Sequence, residues 1–536
     1  MFPADLADDR REENLKNLRT SAQSAGTALK QLLNKMRSLL LLVFICVAFI
    51  AIAQKVNVDE VATRNAIHSF KEFYELLSIP DDAHFPEDIE KNVQWCETAF
   101  AKRGFTTQRL QTPAAPLLLA ERKVKNPKKT VLIYLQIDGQ PVKANQWHQE
   151  SPWKPTLKEK DSEGKWNAIP YEKLYENPNP EWRIFARATS DAKGPAVAFL
   201  ASLDVLKELK SEPNFNMKVI MDFEEELGSP NLPPAVTKYK NELASDMLII
   251  FDGPRHISNQ PTLSFGARGI CEITLTTFGP RVPVHSGNYG NYTPNPALRL
   301  SKLLASMKDD DGRVIIPGFY DGIILTEEEK KILQQVPDDE NEITKFLGIA
   351  TPDKVGGNFQ ESLQYPSLNI RGLDALFVGA ESRTLIPANA IAEMDIRLVP
   401  TSDPARLIGL VRSHVESQGY YIIDREPTEE ERMKYPKIVS FKSSISYGAF
   451  QTPFNSETGI WLSKAMIKAF GKEPIKIRTA GGSIPISPFV VTLGIPAVAV
   501  PTVNPDNNQH AENENIRVGN YIDAVKTFLA ILMEKI

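Results

Sequence analysis

The densest run of potential chemistry in this chain is Phe223-Glu224-Glu225-Glu226-Leu227-Gly228-Ser229. It follows the apolar stretch Met217-Lys218-Val219-Ile220-Met221, which reads as a strand. The acids therefore fall just past a strand's C-terminal end, where ligands bind in open α/β sheets. Adjacent carboxylates in such a place can divide two tasks: one binds a metal, and the other takes a proton from a metal-bound water. Taken alone, the run reads equally well as a solvated acidic turn before a helix, whose N-terminus favours Asp and Glu.

Four further polar features fall at predicted strand ends or just after them. They are Gln136-Ile137-Asp138-Gly139-Gln140-Pro141, Ser190-Asp191-Ala192-Lys193-Gly194, Asp252-Gly253, and His510 within Asn507-Asn508-Gln509-His510-Ala511-Glu512-Asn513-Glu514. Singly, Asp191 and Asp252 read as turn or cap residues, and His510 as an ordinary loop histidine. On one sheet edge together, the carboxylates and the imidazole make an N/O donor set suited to zinc.

The elements that must position these groups are legible in outline. Helices are expected over 58–77, 89–103 (stopped by Gly104), 195–210, 297–307, 404–419 and 457–470. Strands are expected over 130–138, 217–223, 246–251, 269–277, 390–398 and 496–501. The span 130–138 is almost continuously apolar, as in a buried parallel sheet. Strands alternating with helices indicate βαβ units. The texture changes after Pro261 and reverts near Phe450. The predicted fold class is therefore α/β: a doubly wound, mostly parallel sheet formed by residues 54–262 and 446–536, interrupted by an inserted α+β domain at 263–445. Residues 139–182 are expected as a long loop carrying Trp147, Trp153, Trp166, Tyr171 and Tyr175. That loop either walls a cleft or covers a small satellite core.

With 536 residues, 42% of them hydrophobic and 24% charged, the chain can bury large cores. A net charge of -5, with no basic stripe and no zinc-knuckle spacing, gives nucleic-acid binding no support. Three dispersed cysteines imply no disulfide framework. Residues 1–35 form a polar N-terminal extension. Residues 36–53 read as a signal peptide or signal anchor: Met36-Arg37-Ser38 precedes an apolar run from Leu39 to Ala53, which ends in Ala51-Ile52-Ala53 before Gln54. The run is short of the roughly 20 residues of a comfortable membrane span. The favoured reading is a true start at Met36 followed by a cleaved signal, and the alternative is an uncleaved anchor. Either places the bulk of the chain outside the cytoplasm, in the periplasm or secreted, with membrane attachment only if the segment is retained.

From about residue 60 to the C-terminus, these motifs and their order resemble the co-catalytic zinc metallopeptidases of family twenty. That family includes carnosinases, cytosolic non-specific dipeptidase, aminoacylases and carboxypeptidase G. The resemblance implies that Asp191 bridges two zinc ions, that Glu226 and His510 bind one of them, and that Asp252 and a histidine of an H-x-D motif bind the other. It makes Glu225 the general base and puts Asp138, the aspartate of that motif, in the catalytic set. The insertion resembles the family's lid domain, which commonly dimerises. His285-Ser286-Gly287 resembles a motif whose histidine reaches a neighbouring active site and polarises the substrate carbonyl. Thr384-Leu385-Ile386-Pro387, Arg397-Leu398-Val399-Pro400 and Gly481-Gly482-Ser483-Ile484-Pro485 match substrate-binding motifs. Arg397, Thr384, Gly482 and Ser483 would thus hold the substrate, and a planar guanidinium suits a carboxylate because it binds in a bidentate fork.

The chain departs from the family at Gln136, which stands where the H-x-D histidine is expected. An amide oxygen is a weak zinc ligand beside imidazole. Three readings follow: one firm zinc site, a weaker second metal on Gln136, or a substitute ligand from His148 or His256. The function expected is hydrolysis of dipeptides or short peptides with a free C-terminal carboxylate, by a homodimer formed through the lid. The alternatives are an amidohydrolase acting on N-acyl amino acids and a silent peptide-binding relative.

Overall fold

The computed structural model describes residues 14–21, 26, 30, 32–33, 35–37, 57–482 and 485–536. The apolar run 39–53, which carries the signal-segment expectation, and Ser483 lie outside the described residues. The described residues divide into two units at Val61. In the first, residues 14–21 are helical and exposed.

The second unit is built on an eight-stranded sheet. Its order is Thr106–Leu110, Leu117–Arg122, Asn216–Asp222, Thr130–Gln136, Met247–Ile250, Ala497–Ala499, Thr262–Ser264 and Ile475–Ile477. The four adjacent strands from Asn216–Asp222 to Ala497–Ala499 run parallel. Antiparallel pairing is confined to the flanks. The parallel core follows from composition: Leu132, Ile133, Tyr134, Met247 and Ile249 are all buried, which demands cover on both faces. Leu132, Tyr134, Ile220 and Leu248 pack with the helices Leu232–Lys238 and Ser487–Leu493. On the opposite face, Lys193–Glu208 packs along the C-terminal helix Val518–Met533, with Phe199, Phe251 and Phe528 in ring contact. A fully buried phenylalanine of this kind is worth roughly 1.5–3 kcal/mol relative to exposure.

A five-stranded sheet occupies the middle of the chain, in the order Ser367–Asp374, Asn389–Leu398, Gly269–Phe278, Ile438–Tyr447 and Tyr421–Ile423. Gly269–Phe278 alternates as far as Thr277: Cys271, Ile273 and Leu275 turn to a core shared with Leu300 and Leu303 of helix Pro296–Ala305 and with Leu407 and Val411 of helix Pro404–Ser417.

The segment 139–182 is not the open loop expected. Thr156–Lys160, Trp166–Ala168 and Arg183–Phe185 join Asn515–Arg517 in a four-stranded antiparallel sheet. Trp147 is buried, with the Arg187 guanidinium 5.4 Å from its ring centroid. Of the two readings, the satellite core is the one realised. Its physical consequence is that the segment braces the chain immediately after His510.

Candidate active site

The four parallel strands end side by side, and each delivers polar groups to the same edge. Thr130–Gln136 ends on Gln136 and is followed by Asp138. Asn216–Asp222 leads into Glu225 and Glu226, and Met247–Ile250 into Asp252. Ala497–Ala499 leads toward the loop of His510. Asp191 precedes the helix Lys193–Glu208, which connects two of these strands. Strand Thr130–Gln136 has the next strand of this sheet on one side and the one after it on the other, so the crevice opens at a reversal of winding.

A cavity of about 830 Å³ lies over this edge. Gln136, Asp191, Glu225, Glu226, Asp252, Arg397, Gly482 and His510 all line it. The ligand atoms of Asp191, Glu226 and His510 fall within 4.8 Å of one another. His510 Nε2 lies 3.0 Å from Asp191 Oδ2 and 3.3 Å from Glu226 Oε2. Asp252 belongs to no such group among the described residues.

The three glutamates of the run have separate fates. Glu224 is structural: its carboxylate accepts from the Ala115 N–H at 3.2 Å and from Asn231 Nδ2 at 2.9 Å. Glu225 and Glu226 face the cavity, aimed by Asp138 from below. Asp138 is fully buried and accepts the N–H groups of Glu225 and Glu226 at 3.1 and 2.9 Å. The structure therefore makes Asp138 a positioning residue, because its carboxylate grips backbone and does not line the cavity.

The electrostatics are those of crowded carboxylates taken from water. Burial first, then the charges of Glu226, Asp191 and Asp252, push Glu225 well above the usual range. Burial and Asp191 push Glu226 up to about 9 and Asp252 to about 7. His510 is raised by its hydrogen bond to Asp191. Such a cluster carries an excess of negative charge, and its mixed N/O donors fit a divalent cation.

Several members went unrecognised in the sequence. Gln140 Nε2 donates to Glu226 at 2.8 Å, and Gln509 Nε2 to Asp191 at 3.3 Å. Glu514 is fully buried and accepts the N–H groups of Ser190 and Asp191 at 2.8 and 3.0 Å, while Arg187 donates to it at 2.8 Å. Tyr447 lines the cavity, and burial together with Glu225 raises its phenol. Gln140, Gln509 and Glu514 lie within the polar stretches that carry the site, but neither their types nor their spacing distinguishes them from loop residues.

Other expected members lie elsewhere. His285 is exposed and accepts from the Gly287 N–H. It sits opposite Leu385 in a short ribbon beside the exposed Thr384, and within one chain neither residue lines the cavity. His148 is also outside the cavity lining. His256 lines it, but both ring nitrogens are engaged, by Asp338 and Ser258, each at 2.8 Å. Neither histidine replaces the missing ligand. The aromatic residues of 139–182 do not wall the cavity either.

A mixed α/β sheet with convergent carboxylates and an imidazole at its C-terminal edge defines a metal-dependent hydrolase. Residues 265–421 match the family described as a peptidase dimerisation domain, M20_dimer. The chain is 28% identical to the Beta-Ala-His dipeptidase of Mus musculus over 436 residues, covering 79% of this chain and 80% of that protein. It is 25% identical to the Cys-Gly metallodipeptidase of Schizosaccharomyces pombe, covering 79% and 83%. Among solved structures, an M20 family metallo-carboxypeptidase from Sulfolobus solfataricus superposes with a TM-score of 0.71 at 28% identity, covering 87% of this chain and 98% of that one. The chain thus carries a segment that matches the M20 peptidase dimerisation domain, is similar over most of its length to M20-type dipeptidases, and is a hydrolase.

The same comparison corrects one expectation. The extracytoplasmic placement is overturned by the match to these eukaryotic dipeptidases. Among the described residues no helix is long and apolar enough to cross a membrane, and the apolar run 39–53 lies outside them. The physical reason is that a short apolar run by itself specifies no destination.

Proposed function

We propose that this protein is a zinc-dependent peptidase that cleaves dipeptides or short peptides bearing a free C-terminal carboxylate. The observation that carries the reading is the convergence of Asp191, Glu226 and His510 beside Glu225, in a cavity that Arg397 also lines. Relatives named as Beta-Ala-His and Cys-Gly dipeptidases support the substrate class.

A zinc ion held by Asp191, Glu226 and His510 would polarise a water and the scissile carbonyl. Glu225 takes the proton of the attacking water and passes it to the leaving amine. The charge supplied by such an ion would favour the ionised form of Glu225, offsetting its carboxylate neighbours. Arg397, held by Asp395 at 2.8 Å, and the backbone at Gly482 receive the substrate carboxylate, with Ser483 in the same motif. His285 and Thr384 complete the site from a second copy in a homodimer formed through the lid, where His285 meets the developing oxyanion.

The test is a dipeptide panel with metal-stripped and zinc-restored protein, with Glu225→Gln in parallel. Zinc-dependent turnover that is lost in Glu225→Gln is expected. Absence of turnover from a folded, zinc-loaded protein would overturn the reading.

A further inference from the structure

The two oxygens of Asp191 have different partners. Oδ2 faces His510 Nε2 at 3.0 Å and accepts from Gln509 Nε2 at 3.3 Å. Oδ1 accepts from Gln136 Nε2 at 2.5 Å. Gln136 is almost wholly buried, and its own Oε1 has no hydrogen-bond partner. The orientation of the amide follows from charge: turning it over would set an amide oxygen against a carboxylate oxygen.

From this geometry we infer that the centre is mononuclear: the Gln136 amide occupies Asp191 Oδ1, the oxygen that does not face His510, and one ion per chain would be held by Asp191, Glu226 and His510.

Three observations converge on it. The Gln136 N–H is a charge-assisted donor to a carboxylate oxygen, one of the stronger hydrogen bonds available to a buried amide. A second cation would displace that donor. It would gain in its place at most a neutral amide oxygen, a poorer ligand than imidazole for a divalent first-row metal. Finally, among the described His, Cys, Asp and Glu side chains, Asp252 joins no cluster of three within 4.8 Å, so a second cation there would have to lean on the Gln136 amide. His256 does not supply the missing nitrogen, because Asp338 and Ser258 hold both of its ring nitrogens. Gln136 is thus a positioning residue. It fixes the Asp191 carboxylate so that Oδ2 is presented to the single ion, the part played by outer-shell partners in metal sites.

The inference rests on the metal-binding reading above, and metal counting separates the two. Purified full-length protein is equilibrated with excess zinc, dialysed, and analysed for zinc by plasma mass spectrometry, alongside Gln136→His, Gln136→Glu and His510→Ala. Restoring a strong ligand at residue 136 should open the second position, so about one zinc per chain is expected in the wild type and about two in Gln136→His. Gln136→Glu provides an oxygen ligand of nearly the same shape should the histidine variant fail to fold, and it too should approach about two. Loss of the wild-type zinc in His510→Ala would place the single ion on the proposed triad. Two zinc ions in the wild type would overturn the mononuclear assignment while leaving the metal reading intact. No zinc in the folded wild type would overturn the metal reading itself. One zinc in the wild type and in both residue-136 variants would overturn the role given to Gln136.

Discussion

Glu225 and Glu226 are neighbours in sequence and in the cavity, yet their expected phenotypes differ. Glu225→Gln should lower kcat by roughly 10²–10⁴, the usual worth of a positioned base, with zinc content unchanged. Glu226→Gln should lower zinc affinity. A rate loss in Glu225→Gln that tracked lost metal would contradict the division. The crowded carboxylates also predict pH behaviour. In the metal-free protein Glu226 holds its proton up to about 9 and Asp252 up to about 7, both above their ordinary values. A carboxyl whose folded pKa is raised contributes stability that is present at low pH and lost as pH rises toward the folded value. The melting temperature of the metal-free protein should therefore fall as pH rises from about 5 to about 9. Zinc should oppose the fall and release protons on binding, seen as a buffer-dependent heat in titration calorimetry. A flat melting profile without metal would exclude this account.

The elements carry a second level of positioning. The helix Lys193–Glu208 starts at Asp191's shoulder, and Glu514 fastens the turn before it by accepting the Ser190 and Asp191 N–H groups. Arg187 and Glu514 form an ion pair that is almost entirely buried. Glu514→Gln removes the countercharge and leaves Arg187 buried, a change that typically costs about 3–5 kcal/mol. The expected result is a large drop in melting temperature together with weaker zinc binding. The paired variant Arg187→Met with Glu514→Leu should recover stability but not zinc affinity, since no acceptor then holds the Asp191 backbone. Recovery of both would mean that the pair serves stability alone. The satellite sheet belongs to the same device, because Arg183–Phe185 pairs with Asn515–Arg517 and so ties residues 514–515 to Arg187.

At the scale of the whole molecule, the cavity has unlike walls. The sheet edge supplies carboxylates and imidazole, while Ile257, Ile343, Phe346, Leu347 and Phe359 line the same space. Phe346 and Leu347 are largely exposed to it and to solvent. Peptides with a bulky apolar residue should therefore be preferred. Phe346→Ser should lower kcat/KM for such peptides about 10-fold and leave glycyl peptides little changed. An equal effect on both classes would assign the wall no part in selection. His285 and Thr384 lie on an exposed ribbon away from this cavity, so a homodimer should be seen by sedimentation, and His285→Ala should lose activity without losing zinc.

How much of this was legible beforehand varies by element. Helices Val58–Leu77 and Glu457–Phe470 match their expected spans because amphipathic period and caps are local properties. The parallel strands were legible from apolar runs buried on both faces, and the acids at their ends from position alone. Strands Ser367–Asp374 and Ile438–Tyr447 were missed, since one is an edge strand with exposed residues and the other is serine-rich, so neither displays a clean pattern. The sequence by itself determined which side chains are available at the sheet's C-terminal edge, because strand ends and the motifs that follow them are set by nearby residues. Only the tertiary structure decided that Glu224 braces a loop while Glu225 faces the cavity, that Glu514 holds the Asp191 backbone, and that Gln136 bonds the Asp191 carboxylate. Those contacts join segments 55 to 324 residues apart, and hydrogen-bond partners at such separations are chosen by packing, which no local pattern encodes.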